Sequence, residues 1–253
     1  AVLKETRNVY LLEDNEYVVL NRESAKTYTI DKEEIDHAVY KVTFDDNAAE
    51  KSVYDHFMLK EIHEQPKAVK DTLTGRVSMD SAINFDMLKY DDIKDVDKIY
   101  IVACGTAYHA GIVGKTAIER LCRVPVEVDI ASEFRYRNPI ITPKTLLVVI
   151  SQSGETADTL AALRLAKKNS AKVLAVTNVV GSTVSREADF VFYTHAGPEI
   201  AVASTKAYTT QLIALYVFAL FIAENKKTVS ASELDKYKKD LLDIPEKITE
   251  VLE

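Results

Sequence analysis

The stretch Thr145-Leu-Leu-Val-Val-Ile-Ser-Gln-Ser-Gly-Glu-Thr-Ala-Asp-Thr159 decides how the rest of the chain is read. Five apolar residues, Leu146 to Ile150, run without interruption into Ser151-Gln152-Ser153-Gly154-Glu155-Thr156. A strand that is apolar at every position, not only at alternate ones, is buried on both faces, as in a parallel sheet between two helical layers. The pattern then restarts as a helix over residues 155–169, so strand and helix meet in a turn of hydroxyls and one glycine. Such a turn has two readings. Ser151 or Ser153 caps the first turn of its own helix. Alternatively, the helix N-terminus, with its unpaired N–H groups and partial positive charge, faces a small anion. Gly154 suits either, since it permits close backbone approach or a positive φ.

Working outward, residues 98–105 (KIYIVACG), 125–132 (PVEVDIAS), 171–178 (AKVLAVTN) and 190–196 (FVFYTHA) read as four more strands. Helical patterns follow at about 106–122 and 203–224. Alternation of buried strands with helices predicts an α/β fold, a doubly wound, five-stranded parallel sheet of Rossmann-like form. Ligands of such sheets lie beyond the carboxyl ends of the strands. Three turns meet that edge: Cys104-Gly105-Thr106, the 151–156 turn, and Glu199-Ile-Ala-Val-Ala-Ser-Thr-Lys206. All are rich in small and hydroxyl residues, which brings the anion reading level with simple capping.

Other site signatures fail. The first turn, CGTAYHAG, is not G-x-G-x-x-G, and no phosphate-loop NTPase motif occurs. A nucleophile elbow needs glycine where Ser151 stands, which counts against Ser153 as an acyl-enzyme serine served by His109 or His195. His56 and His63 lie near Glu61 and Glu64, but their seven-residue gap is not a ligand pair that one helical turn closes, so no metal is expected.

Before the sheet, residues 8–30 alternate around an Asp14-Asn15 turn signal and predict a hairpin plus one more strand. So small a piece belongs to a larger domain. Residues 48–75 carry Val53, Phe57, Ile62 and Val69 at near-helical spacing. Pro66 breaks the pattern in two, and Gly75 ends it. After the sheet, residues 230–253 form an amphipathic helix capped by Ser230 and broken at Pro245.

With 47% hydrophobic and 28% charged residues the chain is globular, and a net charge of −7 argues against a nucleic-acid partner. Cys104 and Cys122 cannot form a disulfide framework, which points to a reducing, cytoplasmic setting. Leu212 to Ala223, about a dozen apolar residues, falls short of the roughly 20 that span a bilayer and predicts a core helix, with no membrane partner.

Residues 151–167, SQSGETADTLAALRLAK, resemble the first sugar-isomerase (SIS) subdomain of the glutamine:fructose-6-phosphate aminotransferase (isomerizing) family, the glucosamine-6-phosphate synthases. The likeness extends to ACGTAYHAG (103–111), DIASEFRYR (129–137), EIAVASTKAYTTQL (199–212) and the entry segment 54–76. It implies a hexose-phosphate site, for fructose 6-phosphate or glucosamine 6-phosphate. Cys104, Gly105 and Thr106 stand on its first turn and Ser151, Gln152, Ser153 and Thr156 form its phosphate loop. Val202 and Ser204 flank the sugar. Many members carry serine where this chain has Ala107. The resemblance implies no metal or organic cofactor, a homodimer, and catalytic residues that all lie outside this span. The chain then reads as an internal fragment. Residues 1–24 would end a glutaminase domain and 25–88 would be linker and helical entry. Residues 89–228 would be the first SIS subdomain, and 229–253 a connector toward a second. A non-catalytic SIS-type sensor is the competing reading. It would carry a helix-turn-helix or lack the EIHEQP linker, which is present here at residues 61–66. Glu133 and Arg135 fit either dimer contacts or a supporting network.

Overall fold

The computed structural model describes residues 5–42, 51 and 53–253. The chain forms two compact units, Ala1–Glu50 and Lys51–Glu253.

In the first unit, β1 (Asn8–Val9) pairs antiparallel with β5 (Tyr40–Lys41). A three-stranded antiparallel sheet runs β2 (Glu16–Leu20), β3 (Ala25–Thr29), β4 (Glu34–Ile35). The hairpin turn is not at Asp14-Asn15, which precedes β2, but at residues 21–24. There Asn21 Oδ1 accepts from the backbone N–H groups of Glu23 (2.9 Å) and Ser24 (2.7 Å). Asn21 thus builds the local side-chain turn that joins β2 to β3. The register sets Tyr17 opposite Tyr28, and their rings stack at 5.5 Å.

The second unit opens with α1 (Phe57–His63) and α2 (Gln65–Leu73), broken at Glu64 with Pro66 in the first turn of α2. Pro66 costs nothing there because that N–H has no helical partner. Gly75 follows the Thr74 cap with φ +76°, as a helix-ending glycine should. α1 begins at Phe57, and residues 53–56 ahead of it are not helical. Val53 is exposed, and residues 48–50 and 52 lie outside the described residues. A short α3 (Tyr90–Ile93) leads into the sheet.

The sheet elements are β6 (Lys98–Ala103), α4 (Gly105–Cys122), β7 (Val126–Ile130), α5 (Ala131–Phe134), β8 (Thr145–Ser151), α6 (Ala157–Lys168), β9 (Lys172–Thr177), α7 (Thr183–Glu187), β10 (Phe190–Tyr193) and α8 (Lys206–Lys226). The strands are all parallel in the order β10-β9-β8-β6-β7. β8 is buried at every position, as its unbroken apolar run requires. Odd and even residues feed different cores. Ile99, Ile101, Val148 and Ile150 pack with α4 and α8, whereas Tyr100, Val102, Leu147 and Val149 pack with α5, α6 and α7.

α8 matches the helix expected at about 203–224, shifted by two or three residues. Its 21 residues are long and apolar enough to cross a membrane by length and composition, but most of that length is buried within the unit. Burial all round explains why it lacks an amphipathic stripe. The C-terminal segment divides into α9 (Ala231–Leu242) and α10 (Ile244–Leu252), with Pro245 in the first turn of α10. Ser230 and Glu233 form a reciprocal capping box on α9.

Candidate functional site

The strand order puts the reversal of winding between β6 and β8, because the chain leaves β6 for β7 on one side and resumes at β8 on the other. Beyond such a switch point the connections diverge and leave a crevice. The last paired residues are Ala103 and Ile150, so the turns that start at Cys104 and Ser151 leave the sheet side by side.

A cavity of about 270 Å³ opens there, lined by Cys104, Thr106, Ala107, Ile150, Ser151, Gln152, Ser153, Thr156, Glu199, Ala201, Val202, Ser204 and Gln211. Eight of the nine residues expected from the sequence share this wall. Gly105, the first residue of α4, does not line it. Val202 is fully exposed, while Ser151 is buried. A larger cavity, about 530 Å³, lies among α4, α8 and α9. It is mainly apolar, although Thr116, Arg120 and Asp240 also line it, and it stands away from the strand ends where ligands of such sheets lie.

The serines of the 151–156 turn do not cap α6. Ser151 Oγ accepts from the Gly154 N–H at 3.0 Å and lies 3.0 Å from Thr156 Oγ1. Ser153 Oγ accepts from the Glu155 N–H at 3.2 Å. Both serines therefore shape the loop itself. Thr156, the N-cap residue, makes no side-chain cap bond, which leaves the first turn of α6 uncapped at the cavity edge. Gly154 has φ +67°, and a Cβ there would overlap Ser182 Oγ and sit 2.5 Å from Ser182 Cβ. Glycine is required on both counts.

The third turn is held from outside. Glu199 Oε1 accepts from the N–H groups of Thr205 and Ala207, each at 3.0 Å, and its Oε2 accepts from Ser204 Oγ at 3.1 Å. Glu199 thereby caps α8 in place of Thr205. From α1, the buried Glu61 accepts the N–H groups of Ile200 (2.6 Å) and Ala201 (3.1 Å). Lys206, also buried, pairs with Glu64 at 2.7 Å, and Thr209 donates to Gln65 Oε1 at 2.6 Å.

No lysine or arginine lines the cavity. An anion there would be held by N–H groups, hydroxyls and the α6 dipole. Arg135 pairs with Asp158 in the first turn of α6 at 3.4 Å, which tempers a carboxylate that would oppose an anion. Neither His109 nor His195 lines the cavity, so the hydrolase arrangement is not assembled. Burial, reinforced by the Arg76 guanidinium, lowers the His195 pKa. Cys122 is a packing residue: burial pushes its thiol up to about 12, and it donates to the Ala219 carbonyl.

Of the lining residues outside the expected set, Gln211 is the polar one that lies beyond the three turns. Its signal is an amide set directly before the apolar run LIALYVFALF, residues 212–221.

Residues 92–221, just over half the chain, match the profile of the SIS domain. The chain belongs to the SIS domain family. Over its whole length it is 59% identical to glutamine--fructose-6-phosphate aminotransferase [isomerizing] of Clostridium tetani and 48% identical to that of Streptomyces coelicolor. It spans 42% and 41% of the length of those relatives. Among solved structures, the C-terminal domain of glucosamine-fructose-6-phosphate aminotransferase from Francisella tularensis superposes with a TM-score of 0.73 at 45% identity. That match covers 78% of this chain and 55% of the other. The SIS match starts within α3 and ends within α8, so the 103–106, 151–156 and 199–206 turns all fall inside it.

Proposed function

We propose that this SIS domain binds the phosphate and sugar of a hexose phosphate for a glutamine:fructose-6-phosphate aminotransferase. One observation carries the reading: three hydroxyl-rich turns converge on a single cavity at the switch point of the sheet. The 151–156 loop and the α6 N-terminus hold the phosphate. Cys104 and Thr106 of the first turn and Val202 and Ser204 of the third take the sugar, with Gly105 shaping the first turn. The names of the relatives support fructose 6-phosphate as the ligand. In the whole enzyme, ammonia released from glutamine condenses at the C2 carbonyl of fructose 6-phosphate. A proton then moves from C1 to C2 to give glucosamine 6-phosphate. This span contributes recognition, while the groups that move protons lie in other parts of the enzyme. Residues 1–24 end the glutaminase domain, 25–88 link it to the SIS unit at 89–228, and 229–253 lead to a second such unit. The enzyme is a cytoplasmic homodimer.

Calorimetric titration tests the site. Fructose 6-phosphate should bind and fructose should not. Ser153→Ala and Thr156→Ala should each weaken binding by about 1.5–3 kcal/mol, the worth of a hydrogen bond to a charged group. Equal binding of sugar and sugar phosphate, or unchanged affinity in both variants, rejects the phosphate loop. With glutamine or ammonia supplied, this chain alone should form no glucosamine 6-phosphate.

A further inference from the structure

We propose that Gln211 positions the sugar by exchanging hydrogen bonds with one of its hydroxyls, an inference that rests on the hexose-phosphate reading above. Gln211 projects from α8 and lines the cavity, yet only 4% of its surface is exposed. Its Oε1 is out of contact with solvent and has no hydrogen-bond partner. An acceptor left unpaired in the interior costs stability, so its retention calls for a partner that is not part of the chain.

The rest of the cavity is differently occupied. Ser151, Ser153 and Ser204 are engaged with Thr156 and the Gly154 N–H, with the Glu155 N–H, and with Glu199, respectively. Among the described residues of the second unit, four other buried oxygens lack partners: Glu61 Oε2, Thr159 Oγ1, Ser182 Oγ and Thr205 Oγ1. None of those residues lines the cavity. Gln211 alone among these unit-two residues both carries an unpartnered oxygen and lines the cavity.

The chemistry of the amide narrows the ligand group. A carbonyl oxygen accepts only, so its partner must donate, and a phosphate dianion has no proton to give. A hydroxyl both donates to Oε1 and accepts from Nε2. The location agrees. α8 packs with α4 on one face of the sheet, whereas the phosphate loop continues into α6 on the other. Gln211 therefore faces the sugar end of a ligand whose phosphate sits at 151–156.

The test is Gln211→Met, which keeps the length and unbranched shape of the side chain but can neither donate from nitrogen nor accept at oxygen. Because the amide has no partner in the protein, the ligand-free variant should melt at the parent temperature or above it. Fructose 6-phosphate should bind about tenfold more weakly, the effect of one lost hydrogen bond in an enclosed site, with inorganic phosphate unaffected. Gln211→Leu supplies a second apolar variant should methionine pack poorly. Unchanged affinity for fructose 6-phosphate overturns the proposal, since the amide then faces only water. Equal losses for fructose 6-phosphate and phosphate overturn it too, as does a lowered melting temperature in both ligand-free variants. If the parent chain binds no fructose 6-phosphate, the hexose-phosphate reading itself fails, before any variant is compared.

Discussion

Replacing Gly154 with alanine should destabilise the domain through two separable effects. The backbone there has φ +67°, which an L-residue adopts at a cost of about 1–2 kcal/mol. The added Cβ would also overlap Ser182, which is only 3% exposed and has no room to swing aside. Overpacking of this kind costs about 1–3 kcal/mol. Taking about 3 kcal/mol in all, and about 2–4 °C per kcal/mol for a domain of this size, the melting temperature should fall by about 6–12 °C. Ser182→Gly separates the two. Ser182 makes no side-chain cap bond on α7 and its Oγ is unpartnered, so this change alone should cost only about a few tenths of a kcal/mol. In the double variant the overlap disappears and only the φ cost remains, so about 1–3 kcal/mol should return. Calorimetric melting of the parent, both single variants and the double variant gives the coupling directly. The reasoning is refuted if Gly154→Ala melts with the parent, or if the double variant is no more stable than Gly154→Ala.

Two further outcomes follow from the contacts around the sheet. Glu61→Ala strips the acceptor from the Ile200 and Ala201 N–H groups; the domain should lose about 3 kcal/mol and bind fructose 6-phosphate more weakly, whereas Glu61→Gln, which keeps Oε1, should lose less. Equal losses in denaturant unfolding and titration would rule out the clamp. In acid, Glu187, held by a hydrogen bond from Arg164, and Glu127, held by one from Lys98, both have pKa values below the ordinary 4.5. Each folded pKa is depressed, so the stabilisation is complete above the ordinary value and is lost as pH falls through the lower one. Melting temperatures recorded from about pH 6 down to about pH 3 should decline across that window, and Glu187→Gln should decline less steeply. Matching curves for parent and variant would remove Glu187 from the account.

What could be read in the sequence was what local pattern controls. β8 declared itself because burial on both faces forces an unbroken apolar run, and β6 and β9 did so by the same rule. Pro66 and Pro245 marked helix breaks, since a missing N–H is tolerated only in a first turn. The short helices α3, α5 and α7 were passed over, because four or five residues hold too little of a 3.6-residue period to register. Asn21 was missed as the hairpin turn because its three acceptor bonds depend on loop geometry rather than on a dipeptide signal. The hydroxyl turns were visible individually, but their convergence depends on strand order. Least legible was the bracing of the third turn, because Glu61 and Ile200 lie 139 residues apart and nothing in either segment announces the other.

That bracing bears on how this domain can be divided. The matched SIS segment, residues 92–221, holds all five strands of the parallel sheet and the 151–156 turn, but it omits α1 and α2. Trimming to it would preserve the scaffold while freeing the backbone of Ile200 and Ala201 and leaving Lys206 without its counter-ion. On the proposed reading, the trimmed piece would retain its anchor for phosphate beside a slack wall where the sugar should be discriminated. Here the smallest unit of architecture and the smallest unit of recognition are different lengths of chain.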